Sequence, residues 1–224
     1  MTAGRRDLVE RTYAARDAFW AGWGDVDDEV LAPIVNPAFQ GLPRWPGLRQ
    51  AYRTVHRGSL TLVATDGLSD PFDDDASRSN EQGLRLECFA VTKDPVPSVR
   101  DSWLLALVMQ VAMNAADHGG FRSILDKHGI VSMQLFDVPV TDEWVQSDGS
   151  VGILLNVQDG GAAGIPPRME LPLGDALAVC VKLLTGPELA YVTQGGASGR
   201  ADLARRFAAS GEAQRSGLER RSVV

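Results

Sequence analysis

Residues 103–116 read WLLALVMQVAMNAA, and at helical spacing this stretch is apolar on nearly every face. A helix of that kind has to be surrounded by other elements, so it demands a core around itself. Ser98 is placed to cap it, with Asp101 in its first turn, and Gly119-Gly120 follow His118 as a stop signal. Its longest apolar run, Trp103 to Met113, is interrupted by Gln110 and falls short of the roughly 20 residues that a membrane span requires. Upstream, Leu84-Arg85-Leu86-Glu87-Cys88-Phe89-Ala90-Val91 alternates with period two, the pattern of a strand with one buried and one wet face, before Pro95 and Pro97 end it.

The other segments follow the same two periods. Residues 6–23 are expected to form a helix with a rough stripe of Leu8, Tyr13, Ala14, Phe19 and Trp20, ended by Gly22 and Gly24. An acidic patch (Asp25, Asp27, Asp28, Glu29) leads into a crossing segment carrying Pro33, Pro37, Pro43 and Pro46, where Ile34, Phe39, Leu42 and Trp45 are expected to be buried. Residues 50–57 and 60–65 read as strands joined at Gly58-Ser59. A long turn runs from Asp66 to Gly83. A short helix at 121–128, strands at 131–136 and 151–157, a Gly/Pro-rich loop at 158–168 and a buried strand at 176–184 come next. A short helix starting at Pro187 and a final helix at 198–210 complete the chain. Strands and helices do not alternate regularly, which predicts an α+β fold: a mixed, mainly antiparallel sheet with helices packed on it, in a single domain over residues 1–210 with a mobile tail at 211–224.

The formal net charge is -7. Residues 198–224 hold six Arg and three Asp or Glu, which leaves -10 on the rest. An acidic body of this kind argues against nucleic-acid binding, which needs a basic face. Cys88 and Cys180 sit in apolar runs and are read as small buried hydrophobes, with one disulfide between them left open. The opening residues, Met1 to Asp7, lead into charged helical sequence and not an apolar signal core, so the expectation is a cytoplasmic chain.

Chemistry-bearing patterns are sparse. His56, His118 and His128 are too scattered for a zinc motif, no G-x-S-x-G elbow exists, and Cys88 lies mid-strand. Gly195-Gly196-Ala197-Ser198-Gly199-Arg200 lacks both dinucleotide and phosphate-loop spacing and reads as a flexible cap. No catalytic, metal-binding or cofactor-binding residue is assigned. The most distinctive feature is the acidic turn from Thr65 to Asp75. Its carboxylates Asp66, Asp70, Asp73, Asp74 and Asp75 do not follow calcium-loop spacing and form a candidate protein-contact surface that would meet a basic partner.

Taken in order, Asp66-Gly67-Leu68-Ser69-Asp70, Gly83-Leu84-Arg85-Leu86-Glu87-Cys88-Phe89, the Trp103-led helix, His118-Gly119 and Gly129-Ile130-Val131-Ser132-Met133-Gln134-Leu135 resemble the suppressor-of-fused family in its bacterial form, over roughly residues 50–160. The resemblance implies a mixed α+β domain without catalytic activity. It extends to the amino-terminal lobe only, so the peptide site that the animal proteins form between two lobes is not carried over, and no site residue is transferred. Bacterial relatives include immunity proteins, which implies a module that neutralises a protein partner, such as a basic toxin, by binding it. Two other readings stay open at this point: a small enzyme with an unrecognised Asp/His site, and a structural subunit of a larger assembly.

Overall fold

The computed structural model describes residues 3–73, 81–161 and 164–224. Nine strands form a sheet in the order β1-β2-β3-β4-β8-β6-β5, with β7 paired to β8 and β9 to β4. The strands are β1 (Asp25–Leu31), β2 (Ala51–Arg57), β3 (Leu60–Asp66), β4 (Leu86–Thr92), β5 (Val131–Leu135), β6 (Val151–Leu155), β7 (Arg168–Leu171), β8 (Gly174–Leu184) and β9 (Arg215–Ser216). All pairings are antiparallel except β4 with β8 and β4 with β9. Four helices pack on the sheet: α1 (Ala3–Ala21), α2 (Trp103–His118), α3 (Phe121–His128) and α4 (Gly186–Ala209). This is the mixed, mainly antiparallel α+β architecture that the segment pattern predicts. The β2–β3 hairpin falls at the expected place, with Gly58 at φ 59°, a conformation that glycine adopts without penalty.

The α2 helix is central for the reason its sequence gives. Leu104, Leu107, Val108, Val111 and Ala112 are fully buried against one face of β3, β4 and β8. Its cap is Ser102 and not Ser98: the Ser102 hydroxyl accepts from the Leu105 amide at 3.1 Å, while Ser98 donates to Asp101. The opposite face of the sheet is not wet. There α1 brings Trp20 against Phe89 (ring centroids 5.9 Å apart), and farther along α4 covers Leu154 and Leu184. The alternation in β4 therefore separates two interiors, and every residue from Leu86 to Thr92 is buried. Cys88 and Cys180 belong to these opposite interiors and remain free thiols. The final two helices are continuous in hydrogen bonding but break direction at Gly196, whose backbone is non-helical.

The expected mobile tail at 211–224 is instead fastened down. β9 lies parallel to β4, and the Ser216 hydroxyl accepts from the Leu183 amide at 3.0 Å. Gln214 bonds both the amide and the carbonyl of Ile165, and Arg220 pairs with the fully buried Glu188 at 2.5 Å. Lys182, also fully buried, donates to the carbonyls of Glu212 and Arg215 and lies 4.3 Å from the Phe207 ring centroid. Composition hid this, because a basic, polar segment reads as solvated unless the buried acid and buried lysine that it serves are known. Burial first, and then Arg220, push Lys182 down from 10.5 to about 7. The unfolded chain thus holds more protons between those values, and stability from this group rises with pH across that window and is lowest below it. In urea titrations the stability advantage of the natural chain over Lys182→Met is expected to grow from pH 7 to pH 10; a constant difference would contradict this account.

Candidate functional site

The acidic turn divides into an inside and an outside. Asp66 and Asp70 are buried (1% and 2% exposed), so they are not part of a contact surface. Asp73 is exposed and pairs with Arg44 at 2.5 Å, whereas Asp74 and Asp75 lie outside the described residues. What draws the first two inward is Arg16 of α1, which is itself fully buried. Its Nε donates to Asp66 Oδ1 at 2.7 Å, and its Nη1 donates to Asp70 at 2.7 Å and to Glu87 at 3.3 Å. Nη2 lies 2.5 Å from Asp66 Oδ1 at an angle that makes no hydrogen bond.

Glu87, in the middle of β4, accepts from the amides of Gly67 and Ser69 at 3.3 and 3.0 Å, from the Ser69 hydroxyl at 2.5 Å, and from the Thr65 hydroxyl. The Gly-Leu-Ser-Asp turn is thus a cradle closed around one carboxylate and one guanidinium. Gly67 is required by close approach: a Cβ there would sit 2.3 Å from the Arg49 carbonyl oxygen. Arg49 and Arg53 reach Asp66 from the rim. Burial raises Asp66, but Arg16, Arg49 and Arg53 outweigh it and hold its carboxyl below the usual range. For Asp70 and Glu87 burial wins over Arg16 and raises both. Sequence reasoning passed over Arg16. The available signal was its place between Thr12 and Trp20 at four-residue steps, since those three are the buried stripe of α1.

Arg16→Ala leaves three buried carboxylates short of a cation and is expected to cost about 3–5 kcal/mol. Part of that loss returns as pH falls from 7 to 5, because the orphaned carboxylates take up protons in the folded state. Chemical denaturation at the two pH values reads this out, and a cost that did not change with pH would contradict it.

No histidine meets this cluster. His56 lies 3.3 Å from Asp27 at a half-exposed site between neighbouring strands, and His118 and His128 are exposed. Among the described residues, no group of three His, Cys, Asp or Glu side chains is placed to hold a metal ion. No helix of the described residues is long and apolar enough to cross a membrane.

The surface that does stand out is the crossing segment. Trp45 is buried, stacked edge-on against Tyr52, but Ile34, Val35, Phe39, Leu42 and Leu48 are exposed, Ile34 completely and Phe39 at 76%. Ile34, Phe39 and Leu42 are thus not buried as their apolar character suggests: Pro33, Pro37, Pro43 and Pro46 deny the segment a regular helix or strand with one face to bury, and of the four apolar side chains expected inside only Trp45 goes inward. The segment is a formed structure. Asn36 accepts from the Ala38 amide at 2.9 Å to cap a 3-10 turn, Pro37–Gln40, and donates to the Leu48 carbonyl at 2.7 Å.

No family model matches the sequence, and no curated protein matches it. Solved structures do. One described as the Sufu-Fu complex matches at 12% identity with a TM-score of 0.55, covering 96% of this chain and 92% of that one. The chain has the Suppressor of Fused fold. A second match, Drosophila Suppressor of Fused, gives 15% identity and a TM-score of 0.41 over 78% of this chain and 40% of that one. In this chain the Gly-Leu-Ser-Asp turn is an interior lock, and Gly67 within it packs against Trp45 and Arg49 at the end of the exposed apolar segment.

Proposed function

We propose that this chain is a non-enzymatic protein-binding module, and specifically an immunity- or antitoxin-like protein of bacterial type that neutralises a protein partner in the cytoplasm by binding it. The exposed apolar segment carries the reading. Five large hydrophobic side chains held outward on a capped, pinned loop are an unusual arrangement for a chain with an ample core, and exposed apolar patches of this kind mark interaction sites. Two observations support it. The matched structure is that of a protein of this fold in a complex with another protein. The acidic balance of the chain, -7 overall, favours a basic partner such as a toxin and would speed their encounter. The run of the sheet from β1 to β5, with the tail strand included, supports treating the whole chain as one such module.

The test is affinity capture with chemical cross-linking from the native host, with the natural chain beside the double variant Ile34→Asp/Phe39→Asp. Both positions are exposed, so the variant is expected to keep its stability within about 0.5 kcal/mol. The natural chain is expected to recover one specific protein, cross-linked to residues 33–48, and the variant to lose it. Recovery of no specific protein, or equal recovery by the variant, would sink the proposal.

A further inference from the structure

Two recesses open beside the exposed segment. The first, about 170 Å³, is apolar and is lined by Leu31, Ala32, Pro33, Tyr52, Leu105 and Met109. The second, about 310 Å³, is polar, with Asp27, Glu29, Thr54 and Ser98 in its wall. Leu31 and Arg100 line both, so the two recesses adjoin, and together they make a grooved surface reaching from the acidic strand β1 to the root of the apolar loop at Pro33. In β1 Asp25, Asp28 and Glu29 stand exposed and Asp27 is half-buried. Against these four acids stand Arg100, which holds Glu29 at 2.8 Å with both partners largely exposed, and His56 on Asp27. An exposed pair of this kind contributes little and is readily exchanged for another cation.

Resting on the protein-binding reading above, we infer that this groove takes a peptide segment of the partner in which a large apolar side chain is followed at short range by a Lys or Arg. The apolar residue enters the recess under Leu105 and Met109, extending onto Ile34 and Phe39. The cation lies against Asp27 and Glu29, replacing Arg100 at the latter. Charge complementarity selects this occupant: the wall is acidic and the floor apolar, so an acidic or wholly apolar segment is excluded from half of the groove. The free edge of β1 is poorly suited to adding a strand, because it is charged and its register shifts between Val26 and Val30. Recognition therefore works through side chains.

The experiment is a selection of random 12-residue peptides displayed on phage against the whole chain, followed by anisotropy measurements with the enriched sequences. Enriched peptides are expected to carry the apolar–basic pairing. Their affinity is expected to weaken by about tenfold or more in Glu29→Lys, which reverses the wall, and in Ala32→Trp, which fills the recess from an exposed position. Binding should also weaken as salt rises from 0.05 to 0.5 M. No enrichment, enriched peptides without basic residues, or equal binding by both variants overturns the inference. So does dimerisation of the chain that Ala32→Trp abolishes, or co-sedimentation with phosphatidylcholine vesicles, either of which assigns the groove elsewhere. If Glu29→Lys and Ala32→Trp capture the cellular partner as well as the natural chain does, this inference falls and the protein-binding reading stands; if the natural chain captures nothing, that reading itself falls.

Discussion

Arg16 is the one charge on which the arrangement of this interior depends. It is the only element of α1 that can satisfy Asp66, Asp70 and Glu87 at once, and each of those comes from a different part of the fold: the end of β3, the turn and the middle of β4. A buried guanidinium beside three carboxylates does not make the fold more stable than a well-packed apolar core would, since desolvation consumes most of the attraction. What it supplies is selectivity among packings. With the helix rotated or shifted by one turn, Asp70 and Glu87 would be buried without the cation that pairs with them, and Asp66 would keep only Arg49 and Arg53, so such packings compete poorly. The same logic operates at the other end of the sheet, where Glu188 and Lys182 are buried only because the tail delivers Arg220 and two carbonyls to them.

Where the sequence was legible, the period of apolar residues decided the outcome. The β2–β3 hairpin, the α2 helix and the strands β5, β6 and β8 fall close to where alternation and helical stripes put them. Besides β9 in the tail, two strands were missed for physical reasons. β1 reads DVDDEVL, and its acids suit an edge whose pairing is backbone-driven, so its residues carry little strand preference. β7 is four residues inside a Gly/Pro-rich stretch. β4 was placed correctly but misread as half-wet, because Glu87 was counted as solvent-facing like the exposed Arg85 that precedes the strand. A charged residue in an alternating strand marks water only when no opposite charge can reach it, and that condition depends on α1, some 70 residues earlier in the chain.

The candidate site was legible in the same partial way. The acidic turn is real as a landmark, and its first two carboxylates are interior groups that Arg16, Arg49 and Arg53 neutralise. The exposed apolar loop could not be read from composition, because Ile34, Phe39 and Leu42 have the same apolar character as Trp45, and only Trp45 is buried.

This division bears on what the net charge of -7 means for recognition. Carboxylates that are locked to a buried arginine project little field outward, so Asp66 and Asp70 contribute less to attraction of a basic partner than their charge suggests. Of those in β1, Asp25, Asp28 and Glu29 are exposed, and Glu29 pairs with the largely exposed Arg100. They also adjoin the apolar surface. On the proposed reading, a partner drawn by charge would arrive close to hydrophobic area that it can bury, so that long-range attraction and short-range gain would act together. The interior lock supports this arrangement: by tying down the turn it sets the Arg49 backbone and the Trp45 indole against Gly67, and so holds the base from which the exposed loop projects.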